Sequence, residues 1–324
     1  MNERVVRASA PSLPVGRSGV GPAAIPSSVV TRRRRPRRFE TAWLYLLPAI
    51  LLIGFIFIYP TLQSIWLAFQ RNKGIRDPGR FIGVDNFATL YRDPQFWQIL
   101  WQTVVWTVGI VAFTTVLAYL LALILTQRFR GKQIFRTIVI LPAATSLALS
   151  AVVWKFAFEP NNLVNHTLSL FGSTKGGIAW LANVPQAFIA MIYVGIVVSV
   201  PLTGVLLAAS MRSIPRDLYE AASIDGAGRT KQTLRITLPL TRTMLLIVTL
   251  ANFVVVFNSF PIIFVMTGGD PLNRTDILAT WLYEKGFELF DFGMASALAV
   301  IVLGILLVLS LLYVHLLIHR TRVA

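Results

Sequence analysis

The sequence predicts an all-α integral membrane protein with six transmembrane helices and both termini in the cytoplasm. Three observations predict it. Of 324 residues, 55% are hydrophobic and only 14% charged, whereas a soluble domain carries about a quarter charged residues. Six apolar stretches each reach the roughly 20 residues that a bilayer core about 30 Å thick demands of a helix. Lys and Arg collect on alternate connections between those stretches, the bias that orients membrane proteins.

The stretches run over residues 42–69, 100–126, 137–158, 186–211, 241–267 and 294–318. They are long, continuous and Leu-rich rather than alternating, which excludes barrel strands. Pro48, Pro60, Pro142, Pro201 and Pro261 lie within or at the ends of these runs. A membrane helix tolerates Pro where a neighbouring helix or water satisfies the freed carbonyl, so each position predicts a bend.

Residues 1–38 have a different character from residues 39–324. Positions 1–28 are rich in Pro, Gly, Ser and Ala, lack periodicity, and are expected to be disordered. Next comes Arg32-Arg33-Arg34-Arg35-Pro36-Arg37-Arg38. Arg32-Arg33 would suit a twin-arginine export signal, but the apolar stretch that follows is too long and lacks a small-residue cleavage site. The run reads instead as a cytoplasmic anchor at anionic lipid headgroups, with Trp43 and Tyr45 at the interface.

The charge balance orients the chain. With the N-terminus inside, the inner segments 1–40, 127–136, 212–242 and 319–324 hold 21 Lys/Arg and 5 Asp/Glu. The outer side holds 9 of each. A net charge of +16 would point to nucleic acid in a soluble protein. Here it records topology, and no nucleic-acid partner is expected.

What the spans lack narrows the function. Gradient-driven carriers place a carboxylate or His within the bilayer to hold the coupling ion. No Asp or Glu falls inside any of the six stretches, and Glu159 sits at the outer edge of the third. Lys155 is the lone charge that is a candidate for burial within a span, about a turn from that edge, where it can snorkel. No Gly-x-x-x-x-Gly-Lys-Ser/Thr sequence occurs, and Gly226-Ala227-Gly228 lacks the third glycine of a dinucleotide loop. His166, His315 and His319 show no metal-ligand spacing. Cysteine is absent, which removes thiolate metal sites and nucleophiles. By itself the chain is not expected to be an enzyme, to bind a cofactor or to hold a metal; its energy must come from elsewhere.

The connection 212–240 carries the densest pattern. Ser213 is a suitable helix cap, Pro215 suits a first turn, and Asp217 favours the positive helix end. Gly226 is placed to end the helix in a left-handed conformation. The short helix between them groups Leu218, Ala221, Ala222 and Asp225, while Glu220 offers a charge to a basic partner. A second helix, 229–238, then leads into Pro239 and the fifth span. Helix physics alone fits a merely amphipathic loop at the membrane surface equally well.

Glu220-Ala221-Ala222, three residues, Gly226, nine residues, then Ile236-x-Leu238-Pro239 resembles the signature loop of permease subunits of bacterial ABC importers. The resemblance runs from about Phe39 onward and narrows to carbohydrate importers of the maltose type. It rests on Phe81-Ile-Gly-Val-Asp-Asn-Phe, Leu141-Pro142, the run Asn258-Ser-Phe-Pro to Thr267-Gly-Gly-Asp-Pro271, and Asp291-Phe-Gly-Met-Ala-Ser-Ala-Leu-Ala. Thr267-Gly268-Gly269-x-Pro271 is similar to the first of the two non-identical permeases of such importers. The likeness implies a type I permease fold in the cell membrane. It implies a second homologous permease, an ATPase dimer that binds ATP and magnesium, and an extracytoplasmic solute-binding protein. Glu220, Ala221, Ala222, Asp225 and Gly226 would form the coupling contact with the ATPase. Thr267, Gly268, Gly269 and Pro271 would belong to the outer gate or the binding-protein dock.

For a sugar, a greasy bundle needs hydrogen-bonding groups beside flat apolar faces. Tyr193, Ser199 and Thr203 lie around Pro201; Asn252, Asn258 and Ser259 lie beside Phe253, Phe257 and Phe260. Asn252 and Ser259 are seven apart and share a helix face with Val255 and Val256 between them. Such polar groups are more often glue between helices than ligand contacts. The resemblance carries the family's sugar contacts onto Val198, Ser199 and Leu202, and onto Asn252, Val255, Val256 and Ser259. Positions that are aromatic or Asn in the maltose system read Leu202, Val255 and Val256 here, so the expected cavity is less polar. Glycerol 3-phosphate or a polyol is the alternative cargo. A phosphate calls for basic groups or helix N-termini, and apart from Lys155 the span interiors offer no basic candidate.

Overall fold

The computed structural model describes residues 38–74, 76–172 and 177–321. The expected tail, residues 1–38, and its Arg run lie outside the described residues up to Arg38, where the first helix begins. The chain divides into two units, at Ile53 and Gly54. In the first, α1 spans Arg38–Ile53 with Pro48 inside it.

The second unit opens with a π-helical turn, Gly54–Ile58, and α2, Tyr59–Ala68, with Pro60 in its first turn. A two-stranded antiparallel ribbon follows, Gln70–Arg71 paired with Arg80–Phe81. Asp77 closes its turn by accepting from the Lys73 and Gly79 amides, which lowers its pKa. Next come α3 (Asp85–Arg92), α4 (Pro94–Thr126), α5 (Lys132–Ala144), α6 (Leu147–Ala157), α7 (Leu163–Leu170) and α8 (Val184–Arg212). The remainder is α9 (Arg216–Ile224), α10 (Arg229–Gln232), α11 (Leu238–Phe257), α12 (Phe260–Met266), α13 (Leu278–Tyr283) and α14 (Phe292–Thr321). A π-helical stretch, Thr233–Thr237, joins α10 to α11, and another, Glu284–Glu288, follows α13.

Among the described residues five helices are long and apolar enough to cross a membrane: Tyr45–Ala68, Pro94–Thr126, Val184–Arg212, Arg229–Phe257 and Phe292–His315. The third expected span is not one straight helix. It divides into α5 and α6, bent by 99°. Pro142 removes an amide near the end of α5, and Thr145 donates to the Pro142 carbonyl at 2.8 Å. Ser146 then accepts from the Leu149 amide and caps α6. The fifth span is also shifted. A helix continuous from Arg229 ends at Phe257, and residues 260–266 form a separate helix after Ser259. Pro261 has no amide to offer the preceding turn, so its place is at the start of α12. The second span starts earlier than expected because Asp93 accepts from the Gln95 amide and Pro94 fits the first turn.

The pairing of α4 with α8 forms the centre of this unit. Gly195 sits against Ile110, and a Cβ on Gly204 would lie 2.8 Å from Leu121 Cδ2 and 3.3 Å from the Ala118 carbonyl. Small residues let two helix backbones approach closely in lipid. Around this contact Trp106, Ile110, Met191, Val194 and Ile263 form one buried cluster, and Ala118, Leu125, Leu207 and Met211 another. A third cluster joins Ala68, Leu90, Ile99, Leu278, Trp281 and Leu298.

Two of the sequence motifs meet at the ribbon. Asn86 is buried and donates at 2.8 Å to both the Ala68 and Gln70 carbonyls, satisfying the end of α2. Gly293 lies directly under the Gln70 carbonyl, where no side chain fits. Lys73 pairs with Asp291 at 3.3 Å.

Gly204→Leu is expected to destabilise the fold by about 1–3 kcal/mol through overpacking. Gly304→Leu, on α14 with no atom within 4 Å, is the matched control and should melt like the wild type. Thermal unfolding of the purified chain in detergent measures both.

Candidate functional site

The loop between α8 and α11 hangs from one end of the helices. Ser213 does not cap α9, contrary to expectation. It closes α8, its hydroxyl donating back to the Ser210 carbonyl at 2.8 Å, and Pro215 stands at the cap position of α9 instead. Gly226 does what its placement predicts. It has φ +73°, and the Ala227 amide donates across it to the Ala222 carbonyl at 2.8 Å while the Gly226 amide donates to Ser223. That ring of bonds closes a helix only with a left-handed residue, which glycine adopts without strain.

The returning segment clamps this helix. Gln232 Nε2 donates to Ser223 Oγ at 2.9 Å and to the Ala227 carbonyl at 3.0 Å. Tyr219 and Thr237 hydroxyls share a bond of 2.9 Å. Glu220, Ala221, Asp225 and Gly226 are exposed and Ala222 is half-buried. Sequence reasoning missed Ile224, which is 87% exposed beside them and is the most exposed apolar side chain of the loop. Its signal was a large aliphatic residue at the last position of the short helix, directly before Asp225. The resulting surface has a carboxylate, a small-residue step and a protruding apolar side chain, held on a rigid turn. Such a surface suits seating in a cleft of another protein.

At the opposite end of α11 a second ordered loop spans residues 267–277. Thr267 and Thr275 hydroxyls share a bond of 2.9 Å, the Thr275 amide donates to the Gly269 carbonyl, and the Thr275 hydroxyl donates to the Asp270 carbonyl. Gly268 and Gly269 have φ +66° and +94°. The loop docks on α4, where Gln102 donates to the Arg274 carbonyl and the Thr103 hydroxyl accepts from the Leu278 amide. Pro271 is half-buried at the edge of this turn.

Asp276 is the functional candidate that the sequence did not single out. Its carboxylate is 4% exposed and presses on Gly269, leaving no room for a Cβ there. Burial raises its pKa to about 7, with a hydrogen bond from Thr280 opposing and the charges of Glu284, Asp270 and Glu288 reinforcing the rise. One of two acids in a polar loop gives no sequence signal of burial.

The residues expected to contact substrate do not line one face. Leu202 and Val255 are about 60% exposed, whereas Val256 and Ser259 are buried. Ser199 is half-buried, and its carbonyl accepts from Thr203 at 2.9 Å. Val256 packs with Trp106, whose indole donates to the Val256 carbonyl at 3.0 Å. Asn252 has a buried amide nitrogen that finds no hydrogen-bond partner among the described residues. The face shared by Asn252 and Ser259 assumed an unbroken helix, and α11 stops between them. Lys155, expected to snorkel, donates to the Val265 carbonyl at the end of α12, at 2.9 Å.

Long apolar helices joined by ordered loops are the build of a multi-pass membrane protein. The chain belongs to the binding-protein-dependent transport system inner membrane component family, whose pattern matches residues 114–322. It is 39% identical over 271 residues to a probable ABC transporter permease protein of Brucella abortus biovar 1 (strain 9-941), covering 83% of this chain and 94% of that one. It is 30% identical over 294 residues to the trehalose/maltose transport system permease protein MalF of Thermococcus litoralis, covering 90% and 98%. The sn-glycerol-3-phosphate transport system permease protein UgpA of Escherichia coli O6:K15:H31 is 29% identical over 279 residues, covering 84% and 93%. The fold matches a subunit of a bacterial ABC transporter involved in the import of the acidic polysaccharide alginate. That match has a TM-score of 0.77 at 24% identity and covers 87% of this chain and 96% of that one.

The pKa of Asp276 predicts a pH dependence. In the unfolded chain this carboxyl ionises near its ordinary 3.8, while in the fold it keeps its proton up to about 7. Its contribution to stability therefore falls as pH rises from about 4 to 7 and is flat above that. Asp276→Asn should remove that part of the slope. Melting temperatures at pH 5 and pH 8 check it: the wild type should lose more across the interval than the variant, and equal losses refute the assignment.

Proposed function

We propose that this chain is the six-span permease subunit of an ATP-driven importer, with both termini cytoplasmic and α5 with α6 forming one bent span. The Arg-rich residues 1–38 would be a separate basic tail beside a permease domain of residues 39–324. The lysine and arginine bias toward the ends bearing the 212–240 loop supports this orientation. The subunit pairs with a second permease and an ATPase dimer, which holds the ATP and magnesium. It receives a sugar from an extracytoplasmic binding protein; the trehalose/maltose relative supports the sugar.

The observation that carries the reading is α9, a short exposed helix closed at Gly226 and clamped to the start of the 229–257 helix. In this reading Glu220, Ala221, Ala222 and Asp225 seat on the ATPase and Ile224 fills an apolar hollow. ATP binding draws the coupling helices together, and the permease turns its cavity outward. Two states biased by nucleotide are the required logic. The 267–277 loop, with Thr267, Gly268, Gly269 and Pro271, meets the binding protein or closes the outer gate. Ser199, Leu202, Asn252, Val255, Val256 and Ser259 contribute cavity wall, with the unpartnered Asn252 amide the polar group best placed for a hydroxyl.

The UgpA relative supports a second reading, with glycerol 3-phosphate as cargo. Competition of the two solutes for uptake into proteoliposomes containing the co-purified complex separates them. In the same preparation, Glu220→Gln with Gly226→Ala is expected to reduce binding-protein-stimulated ATP hydrolysis at least about tenfold while the subunit stays in the membrane. Hydrolysis and transport at the wild-type rate would refute the coupling role.

A further inference from the structure

At the coupling-loop end, α5 and the end of α8 enclose a groove of about 620 Å³. Lys132, Arg136 and Arg212 line its mouth, with Gln133 and Thr137, and Ile140, Leu141 and Ala144 line its continuation. Arg128 also stands close enough to Lys132 for their charges to repel, as do Arg136 and Arg212. Two of these cations engage only main-chain oxygens: Lys132 donates to the Gln127 carbonyl at 2.8 Å and Arg212 to the Leu125 carbonyl at 3.4 Å. Among the described residues no carboxylate pairs with any of the four. Charge bias at helix ends needs only that cations be present, not that they converge on a concavity without a counter-charge.

We propose that this groove is a specific site for an anionic phospholipid of the cytoplasmic leaflet. The inference rests on the orientation proposed above. The phosphate sits among Lys132, Arg136 and Arg212, and one acyl chain follows Ile140, Leu141 and Ala144. From Lys132 to Ile140 the helix rises about 12 Å, the depth over which a lipid passes from headgroup to hydrocarbon. Basic pockets between helices at this face are suited to such headgroups. The bend after Ala144 ends the groove, because α6 leaves at 99° to α5. Leu141 is 64% exposed and Ile140 half-buried, so the apolar part offers a partly walled track rather than a sealed cavity. The site holds the junction of α5 and α8 beside the coupling loop, so the lipid neutralises a repulsion that would otherwise push these ends apart.

Native mass spectrometry of the full-length chain in neutral detergent tests this. The probes are phosphatidylglycerol and phosphatidylcholine of equal chain length. The wild type should bind phosphatidylglycerol at least about tenfold more tightly, a difference that one to two Lys/Arg contacts suffice to supply. Arg136→Gln with Arg212→Gln should abolish the preference, and Arg242→Gln, an exposed cation outside the groove, should keep it. Leu141→Trp, which retains every charge, should weaken phosphatidylglycerol binding by blocking the acyl track. Three results would overturn the proposal. One is an unchanged preference in the double variant together with unchanged binding by Leu141→Trp. Another is displacement of the lipid by millimolar inorganic phosphate, which makes the site one for free phosphate. The third is no preference in the wild type, which assigns the cations to an acidic protein surface. ATP hydrolysis is not part of the readout, so failure here is separable from failure of the coupling role.

Discussion

Close approach of α4 and α8 is the contact on which the second unit depends. In lipid the hydrophobic effect does not drive one helix onto another, so contact must come from shape. Gly195 and Gly204 supply that shape by making room for Ile110 and Leu121. Once the two backbones lie together, the buried clusters on either side of them follow. The indole of Trp106 can then reach the last turn of α11. Thr103 and Gln102, farther along α4, tie down the 267–277 loop. One pairing therefore positions both ends of the protein that carry functional candidates.

The spans were legible in the sequence because an unbroken apolar run of about 20 residues matches the thickness of a bilayer and little else. Direction was not legible in the same way. Pro142 and Pro201 look alike in the chain, yet Val184–Arg212 runs on through Pro201 while the helix bearing Pro142 ends two residues later. The difference lies in Thr145 and Ser146, whose hydroxyls offer the backbone an alternative to the helix. The same blindness moved the fifth span. A period of 3.6 places Asn252 and Ser259 on one face only while the helix lasts, and it stops at Phe257.

The 212–240 loop was more legible because its backbone makes chemical demands. A left-handed residue after a short helix asks for glycine, and Gly226 answers. Burial makes no such demand on composition. Asp276 is one of two acids in a polar loop until the fold presses it against Gly269. Asn86 and Gly293 show the reverse case. They stand in motifs that read as family marks, and their work is structural: one satisfies the end of α2 and the other yields space to a carbonyl.

The helix from Arg229 to Phe257 joins these themes. It begins in the segment that clamps α9 and ends just before the break at Ser259, a rod of about 43 Å by the rise of an α-helix. Its near end is tied to α9 by Gln232 and by the bond between the Tyr219 and Thr237 hydroxyls, and its far end accepts the indole of Trp106 on α4. The rod therefore acts as a spacer that sets the separation between the 212–240 and 267–277 loops, where the candidate residues lie.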